Sequence, residues 1–172
     1  MQSLYLSDIT LKLAQRPTDG CALSFREKIE TAKLLDRLEV SAIELAPIEN
    51  VKIDSLLVKS IASAVRRSTV ALPVGRDAAS VAVAWAALRD ARHPRLQLEA
   101  PMSPAQMEYF WHKKPAQVLQ TISERIRACR EVCGDVEFIA DDACRSERGF
   151  LVQAAGYFAL SYLDGWALFA AA

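Results

Sequence analysis

Acidic, basic and hydroxyl side chains stand together where the first predicted strand of this chain ends. The segment LYLSDITLKLAQ begins at residue 4 and places Asp8, Thr10 and Lys12 at its polar end. A carboxylate there can act as a general base, and a lysine can neutralise an enolate or a bound carboxylate. Two plainer interpretations stay open: Asp8 closes a turn through its side chain, and Lys12 is a solvated loop lysine.

Further charged residues are predicted at the ends of later strands. Glu44 alternates with apolar neighbours in the second strand, so its charge points towards an interior and needs a partner. Glu99 lies near the end of the fourth strand, whereas Asp141 and Asp142 follow the fifth, with Arg145 beyond them. Converging carboxylates could act as general bases or hold a hard divalent cation. For Asp142, an N-cap of the following helix is the alternative.

Strand and helix patterns alternate five times along the chain and must position these residues. Strands are predicted at 3–12, 41–47, 69–75, 95–101 and 135–141, and helices at 25–40, 55–68, 77–92, 116–133 and 143–159. Ser24 followed by Glu27 is the pattern of a capping box for the first helix. Asp54 is predicted to cap the second helix.

The alternation of short, Val-, Ile- and Leu-rich strands with helices indicates a parallel sheet covered by helices. An open doubly wound sheet and an arc of a (β/α)₈ barrel both fit, and in both folds the carboxyl ends of the strands face the site. No G-x-G-x-x-G motif and no P-loop follow the first strand, which weakens the open nucleotide-binding sheet. We therefore predict an α/β fold, a partial TIM-type barrel of about five parallel strands with helices outside.

One incomplete domain is predicted over residues 1–172, with an atypical apolar tail at 149–172. Gly156, Asp164 and Gly165 interrupt that tail, which argues against a membrane span. The segment 102–115, MSPAQMEYFWHKKP, is predicted as a loop that covers the site like a lid. His112 in this loop could contact substrate, with a surface position as the alternative.

Composition narrows the function classes. The 172 residues carry 21 basic and 21 acidic side chains, a balance that gives no reason to expect nucleic acid. The first residues lack the pattern of a secretory signal, and four cysteines fit no zinc template, so we expect a reducing cytoplasm. Cys129 and Cys133 are predicted to be small buried residues or inert thiols.

Four segments carry a resemblance to a known family. SDITLK, REKIETAKLLDRLEVSAIELAP, MSPAQMEYFWHKKPAQVLQTISERIRAC and VEFIADDACRSERGFL resemble the DRE-TIM metallolyases, nearest to the homocitrate synthase and 2-isopropylmalate synthase group, over residues 4–151. The resemblance implies a TIM barrel of amino-acid biosynthesis that uses a divalent metal. It also implies acetyl-CoA and a 2-oxo acid as partners in a Claisen-like condensation. Because an unclosed barrel leaves an exposed sheet edge, we expect a homo-oligomer.

The resemblance also suggests roles for individual residues. The catalytic candidates are Asp8, Lys12, Glu44 and Asp141, and the substrate-binding candidates are Thr10, Arg145 and His112 of the predicted lid. Lys12 stands where the family has an arginine, so the charge remains but the bidentate fork is lost. Leu13 replaces a metal-binding aspartate, and the family's His-x-His pair has no counterpart. We therefore expect a truncated or degenerate acyltransferase that does not bind the metal alone, or else a non-catalytic binding or oligomerisation module.

Overall fold

A computed structural model describes residues 4–14, 23–77 and 79–160, together with the backbone of 168–170. The strands are β1 (Ser7–Asp8), β2 (Ala42–Glu44), β3 (Thr69–Pro73), β4 (Pro94–Pro101), β5 (Val136–Asp141) and β6 (Leu168–Ala170). The helices are α1 (Thr10–Leu13), α2 (Phe25–Arg37), α3 (Val51–Ala64), α4 (Ala79–Leu88), α5 (Pro104–Tyr109), α6 (Pro115–Val132) and α7 (Arg148–Leu160).

The strands are parallel in each of the pairs β1–β2, β2–β3 and β5–β6. The chain divides into two units at Leu96 and Gln97, within β4. Hydrogen-bonded neighbours follow the order of the chain, as β1-β2-β3 in the first unit and β4-β5-β6 in the second. The predicted α/β class, a partial TIM-type barrel of parallel strands with helices, is confirmed. Sequential parallel strands with intervening helices are what this class requires.

Apolar faces of strands and helices build the interior of the first unit. Ile43 of β2 and Leu72 of β3 are fully buried, and Val58 and Ile61 of α3 are buried at helical spacing. Such side chains contribute about 1.5–3 kcal/mol each when they leave water. This packing holds β1, β2 and the turn after β1 in place, and these elements carry the first group of candidate residues.

Asp36 of α2 ties this helix to the segment before β3. Its carboxylate accepts backbone N–H groups of Arg66, Arg67 and Ser68 at 3.0, 2.8 and 2.8 Å. Burial alone would raise the pKa of Asp36, but the three backbone donors outweigh that effect and lower it below its usual value. The buried charge is therefore stabilised by hydrogen bonds and fixes the entry to β3.

The second unit packs around β5. Phe138 of β5 stacks on Phe158 of α7, with ring centroids 5.6 Å apart. Ile122 and Ile126 of α6 and Leu98 of β4 are also buried in this unit. Part of the segment predicted as an apolar tail therefore forms helix α7, and its backbone at 168–170 adds strand β6 beside β5. The neighbouring residues 161–167, 171 and 172 lie outside the described part.

The first strand is shorter than predicted. Only Ser7 and Asp8 form β1, and the chain turns into α1 at Thr10, so the prediction of a strand over 3–12 is wrong. The reason is local: the Asp8 carboxylate accepts the N–H of Thr10 at 3.0 Å and bends the backbone out of the sheet. Lys12 consequently lies on a helical turn rather than on a strand.

Several predicted helix boundaries also change. The capping box of Ser24 and Glu27 is confirmed at the start of α2. Asn50 caps α3 in place of Asp54, whose carboxylate instead accepts the N–H groups of Glu49 and Asn50 at 2.9 and 2.7 Å. The predicted loop at 102–115 contains the short helix α5, because Ser103 caps it. A 3₁₀ turn at Ala143–Arg145 separates β5 from α7.

The prediction that Cys129 and Cys133 are small buried residues is confirmed, and the Cys133 thiol donates to the carbonyl of Asp135 at 3.1 Å. Burial raises the pKa of the Cys129 thiol to about 11, although Arg125 opposes the shift. A thiol with that pKa stays protonated and inert near neutral pH. Cys144 is exposed, and Cys21 lies outside the described residues. Among the helices that the structure describes, none combines the length and apolar character needed to cross a membrane.

Candidate functional site

Lys12, Glu44 and Ser7 form one hydrogen-bonded cluster at the carboxyl ends of β1 and β2. Lys12 Nζ lies 3.1 Å from Glu44 Oε2, and Ser7 Oγ donates to Glu44 Oε1 at 2.7 Å. The side chains of Lys12 and Glu44 are 25% and 13% exposed, so solvent can still reach the ammonium group. The prediction that the Glu44 charge needs a partner is confirmed, and Lys12 is not a solvated loop lysine.

The elements explain why these three side chains meet. Parallel pairing sets Ser7 opposite Ala42, two positions before Glu44. The helical turn α1 starts at Thr10 and returns Lys12 towards the end of β2. Leu11 of the same turn is buried and anchors it against the unit. The partly buried Glu44 carboxylate is stabilised because one oxygen pairs with the Lys12 ammonium group and the other accepts the Ser7 hydroxyl. Such charge-assisted hydrogen bonds offset the cost of burying the charge.

Asp8 and Thr10 form a second, local group. The two carboxylate oxygens of Asp8 accept the backbone N–H and the hydroxyl of Thr10, at 3.0 and 3.2 Å. The turn-closing interpretation of Asp8 is therefore confirmed. Asp8 is half-buried and Thr10 is exposed.

The candidates of the second unit lie at the end of β5. Asp141 is exposed, and its carbonyl accepts the N–H of Met102 at 2.9 Å. Asp142 follows in the left-handed region at φ 57° and makes no side-chain cap, so the N-cap interpretation is wrong. Instead, Arg145 Nε donates to Asp142 Oδ1 at 2.7 Å, and this hydrogen bond lowers the pKa of Asp142 below its usual value.

The segment predicted as a lid carries His112 on its surface. His112 is exposed and has a φ of 50°, a conformation that non-glycine residues adopt infrequently. Its neighbour Trp111 is half-buried, with the Lys113 ammonium and the Arg125 guanidinium 5.7 and 5.8 Å from the ring centroid. These cation–π contacts anchor the end of the segment against α6. Contact between His112 and substrate stays a prediction.

Two polar features of the structure were not among the predicted site residues. Ser7 was missed because a serine inside a strand gives no signal of its own, although it directly precedes Asp8 in the segment that was singled out. Glu137 was missed beside the more exposed Asp141. Glu137 and Gln97 are almost fully buried, and Gln97 Nε2 donates to Glu137 Oε2 at 2.8 Å. An acid inside an apolar strand was the available signal.

The described residues do not fit a divalent metal. Within that part of the chain no group of three or more His, Cys, Asp or Glu side chains is arranged to hold an ion. Leu13, at the position where an aspartate ligand was expected, is an exposed apolar side chain and offers no donor atom.

Comparisons with known proteins give a consistent similarity. A family described as HMGL-like matches residues 4–160. A 2-isopropylmalate synthase of Halalkalibacterium halodurans is 35% identical over 156 residues, and those of Pyrococcus abyssi and a Geobacillus species are 34% and 33% identical over 154 and 153 residues. Each alignment covers 89% of this chain but only 30% or 31% of the relative. The chain thus spans about 30% of the length of these relatives.

Proposed function

We propose, from the premise that this chain belongs to the HMGL-like family, that it acts as an acyltransferase in a Claisen-like condensation of acetyl-CoA with a 2-oxo acid. The DRE-TIM resemblance of the sequence is confirmed by that membership. The named activity of the relatives, 2-isopropylmalate synthase, supports this type of condensation. We further propose a branched 2-oxo acid as the acceptor and a role in amino-acid biosynthesis in the cytoplasm. The observation that carries the proposal is the Lys12–Glu44–Ser7 cluster at the strand ends.

In the proposed reaction a carboxylate takes a proton from the acetyl methyl group of acetyl-CoA. The resulting enolate forms a carbon–carbon bond to the oxo carbon of the acceptor, and the electrons of the carbonyl bond move onto its oxygen. Water then cleaves the thioester and releases CoA. The chain must therefore supply a base, a positive charge that stabilises the developing oxyanion, and a group that binds the acceptor carboxylate.

Lys12 is assigned the positive charge. Its ammonium group is the cation that Glu44 holds at the end of β2, and a quarter of the side chain is open to solvent. There it can neutralise the acceptor's oxygen or carboxylate as charge develops. Because an ammonium lacks the bidentate fork of a guanidinium, the acceptor would be held through one contact rather than two.

Glu44 and Asp8 are the proposed base candidates of the first unit. Glu44 keeps one oxygen on Lys12 and the other on Ser7, so its orientation is fixed by two donors. Asp8 is oriented by Thr10. Asp141, Arg145 and His112 belong to the second unit, and their roles as a base and as substrate contacts stay predictions from the family resemblance. No step is assigned to a metal, because the described residues do not fit one.

Release of CoA tests this proposal. Purified protein would be incubated with acetyl-CoA and 2-oxoisovalerate or 2-oxoglutarate, with and without Mg²⁺ or Mn²⁺, and free thiol would be measured. We expect acceptor-dependent release that Glu44→Gln lowers by about a hundredfold, the usual scale for a positioned acid–base group. Glu30→Gln, at an exposed acid of α2, is the matched control. Absence of acceptor-dependent release under every condition would contradict the proposal.

A second candidate function is a non-catalytic binding or oligomerisation module. It is favoured by Leu13, which offers no metal ligand at an expected ligand position. Such a module would bind the 2-oxo acid at Lys12 without releasing CoA. Acceptor binding with no turnover of acetyl-CoA would therefore select this candidate over the acyltransferase.

A further inference from the structure

A groove runs between α3 and α4 on the first unit, apart from the candidate site. It encloses about 460 Å³, and one wall is a stripe of α3 formed by Lys52, Ser55, Leu56 and Lys59. These residues are three, four and seven positions apart and so share one face of the helix. The opposite wall is formed by Val83, Ala86 and Ala87 of α4, again at helical spacing.

The α4 wall is unusual for a helix that reaches the surface. The sequence of α4, ASVAVAWAAL, contains no charged residue, yet Ala82 and Ala86 are exposed. A helix that is apolar on every side is normally covered on every side. On α3, Leu56 is 58% exposed beside the groove. The two helices thus present a joint apolar surface that has the composition of an interface.

The charge at the rim indicates the chemistry of the occupant. Lys52 and Lys59 are exposed, and no acidic side chain is among the described residues that line the groove. Two lysines seven residues apart on a helix are separated by about 10 Å along its axis, which is two helical turns. Acids seven residues apart on a facing helix would meet both lysines. Apolar residues between those acids would enter the groove between the ridges of α3 and α4.

We infer that the groove between α3 and α4 is a docking site for an amphipathic protein helix with an apolar stripe and two acidic residues seven positions apart. Apolar side chains in the groove supply affinity, and the two lysines fix register and select against basic partners. The inference does not depend on the proposed acyltransferase activity, because none of the candidate catalytic residues lines the groove.

A synthetic peptide tests the inference directly. A fluorescein-labelled amphipathic helix of about 18 residues would carry leucines on one face and two glutamates seven apart, and its binding would be followed by fluorescence anisotropy. We expect the double variant K52E/K59E to weaken binding about tenfold or more. The matched control R26E/R66E changes the net charge equally at exposed arginines outside the groove and should leave binding unchanged.

A charge-swapped peptide makes the test independent of folding defects. With lysines in place of its glutamates, the peptide should bind wild type weakly and K52E/K59E well. No binding of the acidic peptide to wild type, equal loss in the two double variants, or no recovery with the swapped peptide would each overturn the inference. Tighter binding of dodecanoate than of the peptide would also overturn it, since the groove would then hold a small anionic amphiphile.

Discussion

Asp36 keeps its charge although more than nine-tenths of the residue is shielded from water. Three backbone N–H donors on the segment before β3 share its two oxygens, and together they outweigh the cost of burial. Nothing in the pattern of α2 distinguishes Asp36 from a surface acid, since its partners lie about thirty positions away along the chain. The residue is therefore a structural anchor that only the folded chain reveals.

Asp36→Asn should lower the free energy of unfolding by about 2 kcal/mol at neutral pH, because an amide cannot accept all three donors. The folded pKa of Asp36 is lowered, so its contribution is complete above about pH 4, the ordinary value of an unfolded aspartate. That contribution is lost as the pH falls through the folded pKa. Urea unfolding between pH 2 and 7 should accordingly show a flatter acid decline for the variant, whereas parallel curves would contradict this account.

The site around Lys12 and Glu44 could be predicted only in part. That Glu44 needed a partner followed from a lone acid among apolar strand residues, and the structure supplies Lys12. Ser7 could not be predicted as the other partner, because its contact depends on the register of β1 against β2. The sequence allowed two interpretations of Asp8, a residue that closes a turn and a general base. The hydrogen bonds to Thr10 establish that it closes the turn.

At the scale of elements, local signals governed what could be predicted. The capping box of α2 and the alternation of strands with helices were visible, and so the α/β class was correct. The end of β1 could not be predicted, because the sequence LYLSDITLKL alternates like a continuous strand. In the structure, the side chain of Asp8 bends the backbone at Thr10 and ends the strand there. The helix α5 was missed since Pro104 and its polar neighbours are typical of a loop.

Ser24→Ala should destabilise the first unit by about 1 kcal/mol, because it removes the acceptor of the Glu27 N–H in the capping box. Thermal unfolding followed by circular dichroism measures the change. Ser60→Ala is a matched control in α3, because the Ser60 hydroxyl donates to the carbonyl of Leu56 within the same helix and caps no helix end. Equal losses in the two variants would show that the capping box contributes nothing specific.

At the scale of the whole molecule, apolar residues are exposed around β1. Leu4, Leu6 and Leu13 are 90%, 55% and 62% exposed, and β1 stands at the end of its run of hydrogen-bonded strands. Exposed leucines on either side of an edge strand favour association with another chain. The predicted homo-oligomer therefore stays a prediction with a defined surface, namely the exposed leucines beside β1, Leu4, Leu6 and Leu13.

Leu6→Lys should shift the protein towards the monomer, because a lysine directly before the edge strand replaces an exposed apolar side chain with a charge that opposes association. Light scattering coupled to gel filtration would give the mass of each variant. Leu38→Lys, at a residue that is 74% exposed at the end of α2, is the control that should leave the mass unchanged. A monomeric wild type, or the same shift in both variants, would remove β1 as the association surface.

Titration calorimetry with 2-oxoisovalerate measures most directly whether Lys12 receives the acceptor. We expect wild type to bind the acid and Lys12→Met to bind it about tenfold more weakly, the loss of one charge-assisted contact. Lys33→Met, on the exposed face of α2, should bind like wild type. A wild type that fails to bind the acid, or a Lys12→Met variant that binds it equally well, would contradict the account.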